Sequence, residues 1–106
     1  MSEEYLFVDD LRQHTTVPER GILSMTLQTD ERSKIIQFVF APGQELSAHT
    51  APFPAILYIA KGEADLTLGE DAKEATEGTL VHMPAQLPHS IKAKTEVVML
   101  LIMLKG

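Results

Sequence analysis

Apolar residues along this chain come in short runs with a two-residue period, and no stretch keeps a helical period over ten or more residues. Ala64, Leu66 and Leu68 alternate with Asp65 and Thr67, the pattern of a half-buried strand. Ile36, Phe38 and Phe40 alternate with Gln37 more loosely. The pattern predicts strands over Ile22 to Leu27, Lys34 to Phe40, Pro54 to Ala60, Ala64 to Leu68, Thr79 to Met83, Ser90 to Ala93 and Glu96 to Leu104. Val97 to Leu104 is an unbroken apolar run, expected to be buried on both faces. Turn chemistry separates these runs at Pro42-Gly43, Lys61-Gly62, Gly69-Glu70-Asp71, Glu77-Gly78, Pro84 and Pro88. Asp9 to Thr15 has room for one helical turn. Short strands closely spaced by turns predict an all-β sandwich or barrel.

The length of 106 residues predicts one domain, with residues 1–20 flanking a barrel over about 20–104. A formal charge of −6, with Lys and Arg scattered singly, argues against nucleic acid and anionic membranes as partners. The absence of cysteine removes disulfides, thiolate nucleophiles and Cys-based metal sites. The acidic start MSEEYLFVDD has neither the basic nor the apolar region of a signal peptide. The longest apolar run falls far short of the roughly 20 residues of a membrane span. A cytoplasmic location is the expectation.

Two cassettes stand out. The first runs from Gly43 through His49 to Gly62, and the second is Gly78-x5-Pro84-x4-His89. Each places one imidazole at the end of a turn-punctuated stretch, which predicts two strands meeting at one mouth of a barrel. The first resembles the cupin superfamily motif G-x5-H-x-H-x3,4-E-x6-G, with Gly43, His49 and Gly62 in place. Ala51 stands at the second His position and Ala55 at the Glu position. The second is similar to G-x5-P-x-G-x2-H-x3-N, with Gly78, Pro84 and His89 matching, Gln86 at the inner glycine and Ala93 at the Asn. The resemblance covers roughly residues 20–104. It implies an all-β fold: a small double-stranded β-helix (jelly-roll) barrel of two antiparallel sheets. It also implies a homodimer, with a strand near Tyr5 to Val8 crossing to the partner and the apolar last strand covered.

A cupin centre of the usual kind resembles three His and one Glu around Fe, Mn, Ni, Zn or Cu, and two of those four ligands remain here. Two neutral imidazoles with no carboxylate hold a divalent ion weakly, since nothing offsets its charge. His82 is the candidate third ligand for a divalent Zn, Ni, Mn or Fe ion beside His49 and His89. It reaches them if Leu80 and His82 face the lumen, and it is a surface residue if they face out. Glu45 is a carboxylate candidate at the mouth. His14 is expected to be exposed. Replacing His and Glu by Ala predicts a roomier, more apolar lumen suited to a small molecule, unless Phe, Leu or Met side chains fill it. Tyr58 is expected to point away from the lumen, because Leu57 and Ile59 share the parity of Ala55.

No G-x-S-x-G elbow and no phosphate loop occurs, and no organic cofactor is expected. Three readings stay open. The first is a metal-dependent enzyme of oxygenase or isomerase type. The second is a metal-free protein that binds a small metabolite. The third is a structural module whose metal site has decayed. Fold alone does not choose among them.

Overall fold

The computed structural model describes residues 5–13 and 18–105. His14 lies outside the described residues, as does the end of the expected helical turn. Within the described part of that segment, residues 10–13 form a hydrogen-bonded turn, with the Gln13 backbone amide donating to the Asp10 carbonyl at 3.2 Å. No helix forms among the described residues, so none is long and apolar enough to cross a membrane.

Nine strands follow in chain order among the described residues. They are β1 (Ile22–Thr29), β2 (Ser33–Phe40), β3 (Glu45–His49), β4 (Ala55–Lys61), β5 (Ala64–Leu68), β6 (Asp71–Ala75), β7 (Leu80–Met83), β8 (His89–Ala93) and β9 (Val97–Leu104). They build a five-stranded sheet ordered β1-β2-β9-β4-β7 and a four-stranded sheet ordered β3-β8-β5-β6. Every pairing is antiparallel. This is the two-sheet jelly-roll barrel that the patterning and the resemblance predict.

All seven predicted strands are present, and β3 and β6 are additional. Both are edge strands of the smaller sheet. Each is polar: only Leu46 of β3 is even half-buried, and only Ala75 of β6 is buried. An edge strand shows one row of backbone groups to water and tolerates charge on its exposed face, so it carries little alternation. Residues 5–8, expected to cross to a partner as a strand, pair with no strand of this chain, and Tyr5 and Phe7 are exposed.

Strand β9 is central in the larger sheet and carries its register. Phe38 and Ile59 pair with Met99, while Ile36 and Leu57 pair with Leu101. Ala55 pairs with both Met103 and Met83. Since cross-strand partners share a face, these side chains point into the lumen together. All of them except Ile36 join Leu66, Ile91 and Ala93 of the smaller sheet in one core cluster. The expectation that β9 is buried throughout on both faces holds for Val97, Val98 and Met99 and fades beyond them. Leu100, Ile102 and Leu104 lie on the outer face, where Leu23, Met25 and Leu80 are also exposed. On that face the buried Gln37 donates from its side-chain amide to the Leu11 carbonyl at 3.0 Å, tying the N-terminal segment onto the sheet.

Two backbone positions depend on residue type. Gly62 has φ +94°, and a Cβ there would collide with the Glu96 carbonyl oxygen. Gln86 has φ 68°, the sole non-glycine with positive φ among the described residues, and it occupies the inner-glycine position of the second motif. Its amide donates to the Ala51 carbonyl at 2.8 Å, which holds the turn in place. A left-handed conformation strains any residue with a Cβ, and glycine removes that strain at some cost in unfolded-state entropy. Gln86→Gly is therefore expected to raise stability by about 0.5–1 kcal/mol. Gly62→Ala is expected to lower it by about 2 kcal/mol or more. Urea midpoints at unchanged slope check both, and a Gln86→Gly midpoint at or below the parent's contradicts the first.

Candidate functional site

The antiparallel pairing of β3 with β8 makes the site. His49 ends β3 and His89 begins β8, so the pairing sets them directly opposite each other. A register shift between Leu46 and His49 brings the two into line. The ring centroids are 4.3 Å apart with the planes tilted by 57°. His89 is half-buried and His49 is exposed at the rim.

Each ring is anchored in the same way. The Nδ1 of His49 lies 2.9 Å from the Ser47 carbonyl oxygen, and the Nδ1 of His89 lies 2.9 Å from the Leu87 carbonyl oxygen. A carbonyl oxygen can only accept, so each Nδ1 must carry the proton and donate. In the neutral ring this leaves Nε2 with an available lone pair. A backbone carbonyl behind Nδ1 is the support that metal-binding imidazoles commonly use to set tautomer and ring angle. An Nε2 acceptor on each of two adjacent rings is the chemistry on offer.

Beneath the pair lies a small, mostly apolar cavity, lined chiefly by Phe38, Leu46, Leu57, Leu66, Met99 and Leu101 along with the two imidazoles. Its volume is about 30 Å³. That is room for about one water or one ion, well below the roughly 300–1,000 Å³ of small-molecule pockets. The expected roomier lumen is not found. The lumen is apolar, but large side chains fill the space. At Ala55, where the resemblance places a Glu, the cross-strand neighbours are the methionines Met83 and Met103. Methionine is unbranched and flexible, which suits it to filling irregular gaps.

His82 does not join the pair. On β7, Val81 packs against the core and Met83 is buried, so strand alternation turns Leu80 and His82 outward. His82 is exposed and sits opposite Ile56 on the outer face. The expected convergence of three imidazoles is therefore corrected to a pair. Glu45 is also exposed, paired across to Lys92, and does not line the cavity. Among the described residues, no group of three His, Asp or Glu side chains is placed to hold a metal. Tyr58 lies opposite Leu100 on the outer face, as its parity predicted.

Met99 is the site residue that the sequence motifs did not single out. It comes from β9 in the facing sheet, is buried, and lines the same cavity as the histidines. Only the pairing of Met99 with Phe38 and Ile59 reveals its direction. A separate open groove lies at the far end of β8, bordered by Lys61, Glu63, Glu77 and Glu96. There the Lys61 ammonium is already within 3.5 Å of Glu96.

A family model described as a cupin domain matches residues 36–104. A conserved protein of unknown function from Streptococcus pyogenes has 32% identity, with 98% of this chain and 91% of that chain covered and a TM-score of 0.86. A cupin superfamily protein from Desulfitobacterium hafniense has 26% identity, covering 100% of this chain and 95% of that one, also with a TM-score of 0.86. A salicylate 1,2-dioxygenase variant from Pseudoaminobacter salicylatoxidans shares the fold at 11% identity and a TM-score of 0.73, over 78% of this chain and 26% of that chain. Among curated proteins, none matches the chain.

The outward direction of His82 has a measurable consequence. His82→Ala is expected to leave stability within about 0.5 kcal/mol of the parent and to leave the ring resonances of His49 and His89 in place. Denaturation curves and imidazole NMR spectra check this, and a variant that moves both ring signals would put His82 back in the lumen.

Proposed function

The chain belongs to the cupin family, and from that premise and the geometry of its mouth we propose a binding role: His49 and His89 hold one small electron-pair-accepting guest. The observation that carries this reading is the matched anchoring of the two rings. Both Nδ1 atoms face backbone carbonyls at 2.9 Å and the ring centroids are 4.3 Å apart, so each of two adjacent rings keeps an Nε2 lone pair. Such an arrangement accepts a metal ion or a strong hydrogen-bond donor.

The divalent centre implied by the family does not fit these donors. Ala51 and Ala55 supply none, His82 is turned away, and no carboxylate lines the cavity. An ion with two positive charges would sit against apolar walls with nothing to offset them, and burying an uncompensated charge is strongly unfavourable. The cavity also leaves no room for an organic substrate beside such an ion. A binding module accounts for these features better than an oxygenase or isomerase does.

The test is long-range proton–nitrogen NMR of the imidazoles, with the full chain titrated separately with Zn(II), Ni(II) and anaerobic Cu(I). Both rings are expected in the Nδ1–H form, and a bound ion is expected to shift both Nε2 signals together. His49→Ala should abolish the response of His89. Rings in the Nε2–H form, or signals unmoved by all three ions, would end this reading.

A further inference from the structure

We propose that the outer face of the five-stranded sheet seats a second copy of this chain, and that His82 makes the pairing respond to pH. The proposal stands apart from the reading of His49 and His89 and does not depend on it.

The two sheets present opposite surfaces to water. Outward positions of the smaller sheet are charged: Glu45, Lys92, Asp65 and Glu74 lie side by side across β3, β8, β5 and β6, all exposed. That is the ordinary pattern of an antiparallel sheet with one wet face. On the larger sheet the register aligns two outward rows, since cross-strand partners share a face. One row is Met25, Gln37, Leu100, Tyr58 and Leu80, and the other is Gln28, Ile35, Ile102, Ile56 and His82. Neither holds an Asp, Glu, Lys or Arg side chain. Beyond them Leu23, Val39 and Val98 continue the apolar surface as far as Lys61, whose ammonium is turned to Glu96. The N-terminal segment is tied to part of this face through Gln37 and Leu11. Leu23, Met25 and Leu80 stay exposed, the last to 66%.

Area and charge both point to a second copy. Five strands about 4.8 Å apart and up to eight residues long make a face on the order of 500 Å² in projection. Two such faces together bury on the order of 1,000 Å², the size at which a specific interface becomes stable. A chain of net charge −6 repels its own kind, so two copies meet at least cost where charges are absent. This face has none in its two rows, and a two-fold contact sets it against itself. A strongly basic or acidic partner finds no charge to pair with there.

His82 supplies the pH response. Imidazole is the side chain that changes charge between about pH 5 and 8. On the face around His82, Ile56 lies opposite and Leu80 shares its side of β7. Tyr58 is the titratable group on β4, the strand bonded to β7. Residues 50–54, which lead into β4, and 84–88, which lead out of β7, carry no titratable side chain. Asp9, Asp10, Arg12 and Glu77 border a groove on the other side of Tyr58, with Arg12 paired to Asp10. Covering the face strips water from His82, which disfavours the charged ring. The dimer therefore takes neutral His82, and each separated chain takes up a proton as the pH falls. Association is full above the free imidazole range and is lost as pH drops through it. The overall charge acts with the opposite sign, because acidification reduces the negative charge that holds two copies apart.

The experiment is sedimentation equilibrium of the full chain at about pH 7.5 and about pH 5.5, on either side of the imidazole value. His82→Gln, Leu80→Glu and His49→Ala are run in parallel. Leu80 and His82 are exposed in the single chain, so changing them spares its core. The parent is expected to dimerise at the higher pH, with a dissociation constant roughly 100-fold larger at the lower, as two rings take up one proton each. His82→Gln should dimerise equally at both pH values, Leu80→Glu should be monomeric at both, and His49→Ala should follow the parent. A parent that is monomeric at both pH values, or a dimer that Leu80→Glu leaves intact, overturns this face as the interface. A pH response that survives in His82→Gln, or association that strengthens on acidification, overturns the role of His82.

Discussion

The hydrogen-bonded register of β9 between β2 and β4 is the constraint on which the rest of this barrel depends. A strand slipped by one residue would exchange its two faces. In the observed register, Met99, Leu101 and Met103 point inward with Phe38, Leu57 and Ala55. The same register turns Leu100 and Ile102 outward with Tyr58 and Ile56. The pairing of β4 with β7 passes this parity on, so Val81 goes in and His82 goes out. One ladder therefore decides what fills the lumen, which methionine lines the cavity and which histidine is kept from it.

The site itself belongs to the other sheet. β3 is a short, largely exposed edge strand, and its last residue supplies His49. Little burial holds that residue in place. The ring is held by local hydrogen bonding and by its neighbour: the contact to the Ser47 carbonyl and the tilted approach to His89. His89 is set more firmly, because β8 lies between β3 and β5 and pairs with both. An exposed imidazole at a rim beside a half-buried one suits the admission of a small guest from solvent.

Shrinkage of two ligand positions to alanine was legible in the motifs, but its volumetric consequence was not. Deleting a His and a Glu suggests empty space. Close packing opposes that, because interiors leave few voids larger than a water molecule. The lumen around Ala55 meets Met83 and Met103, which come from separate strands far apart in the chain. A motif-level reading of Ala55 has no access to which side chains lie across the ladder from it. The same limit applies to β6, whose residues Asp71 to Glu74 are exposed along an edge and carry no apolar alternation. The strained Gln86 shows the opposite case. Its departure from the glycine of the motif is visible in the sequence, and the backbone keeps the left-handed turn regardless.

By itself the amino-acid sequence determined the fold class, seven of the nine strands among the described residues and the two histidines that meet. Two-residue alternation, turn residues and motif spacing are local signals, and a chain of this period has few other ways to bury its apolar face. The tertiary structure alone decided that the histidines form a pair and not a trio, that the lumen is nearly full, and that Met99 lines it. Those outcomes follow from register between strands distant in sequence. A shift of one residue there reverses every side chain while leaving the local pattern untouched.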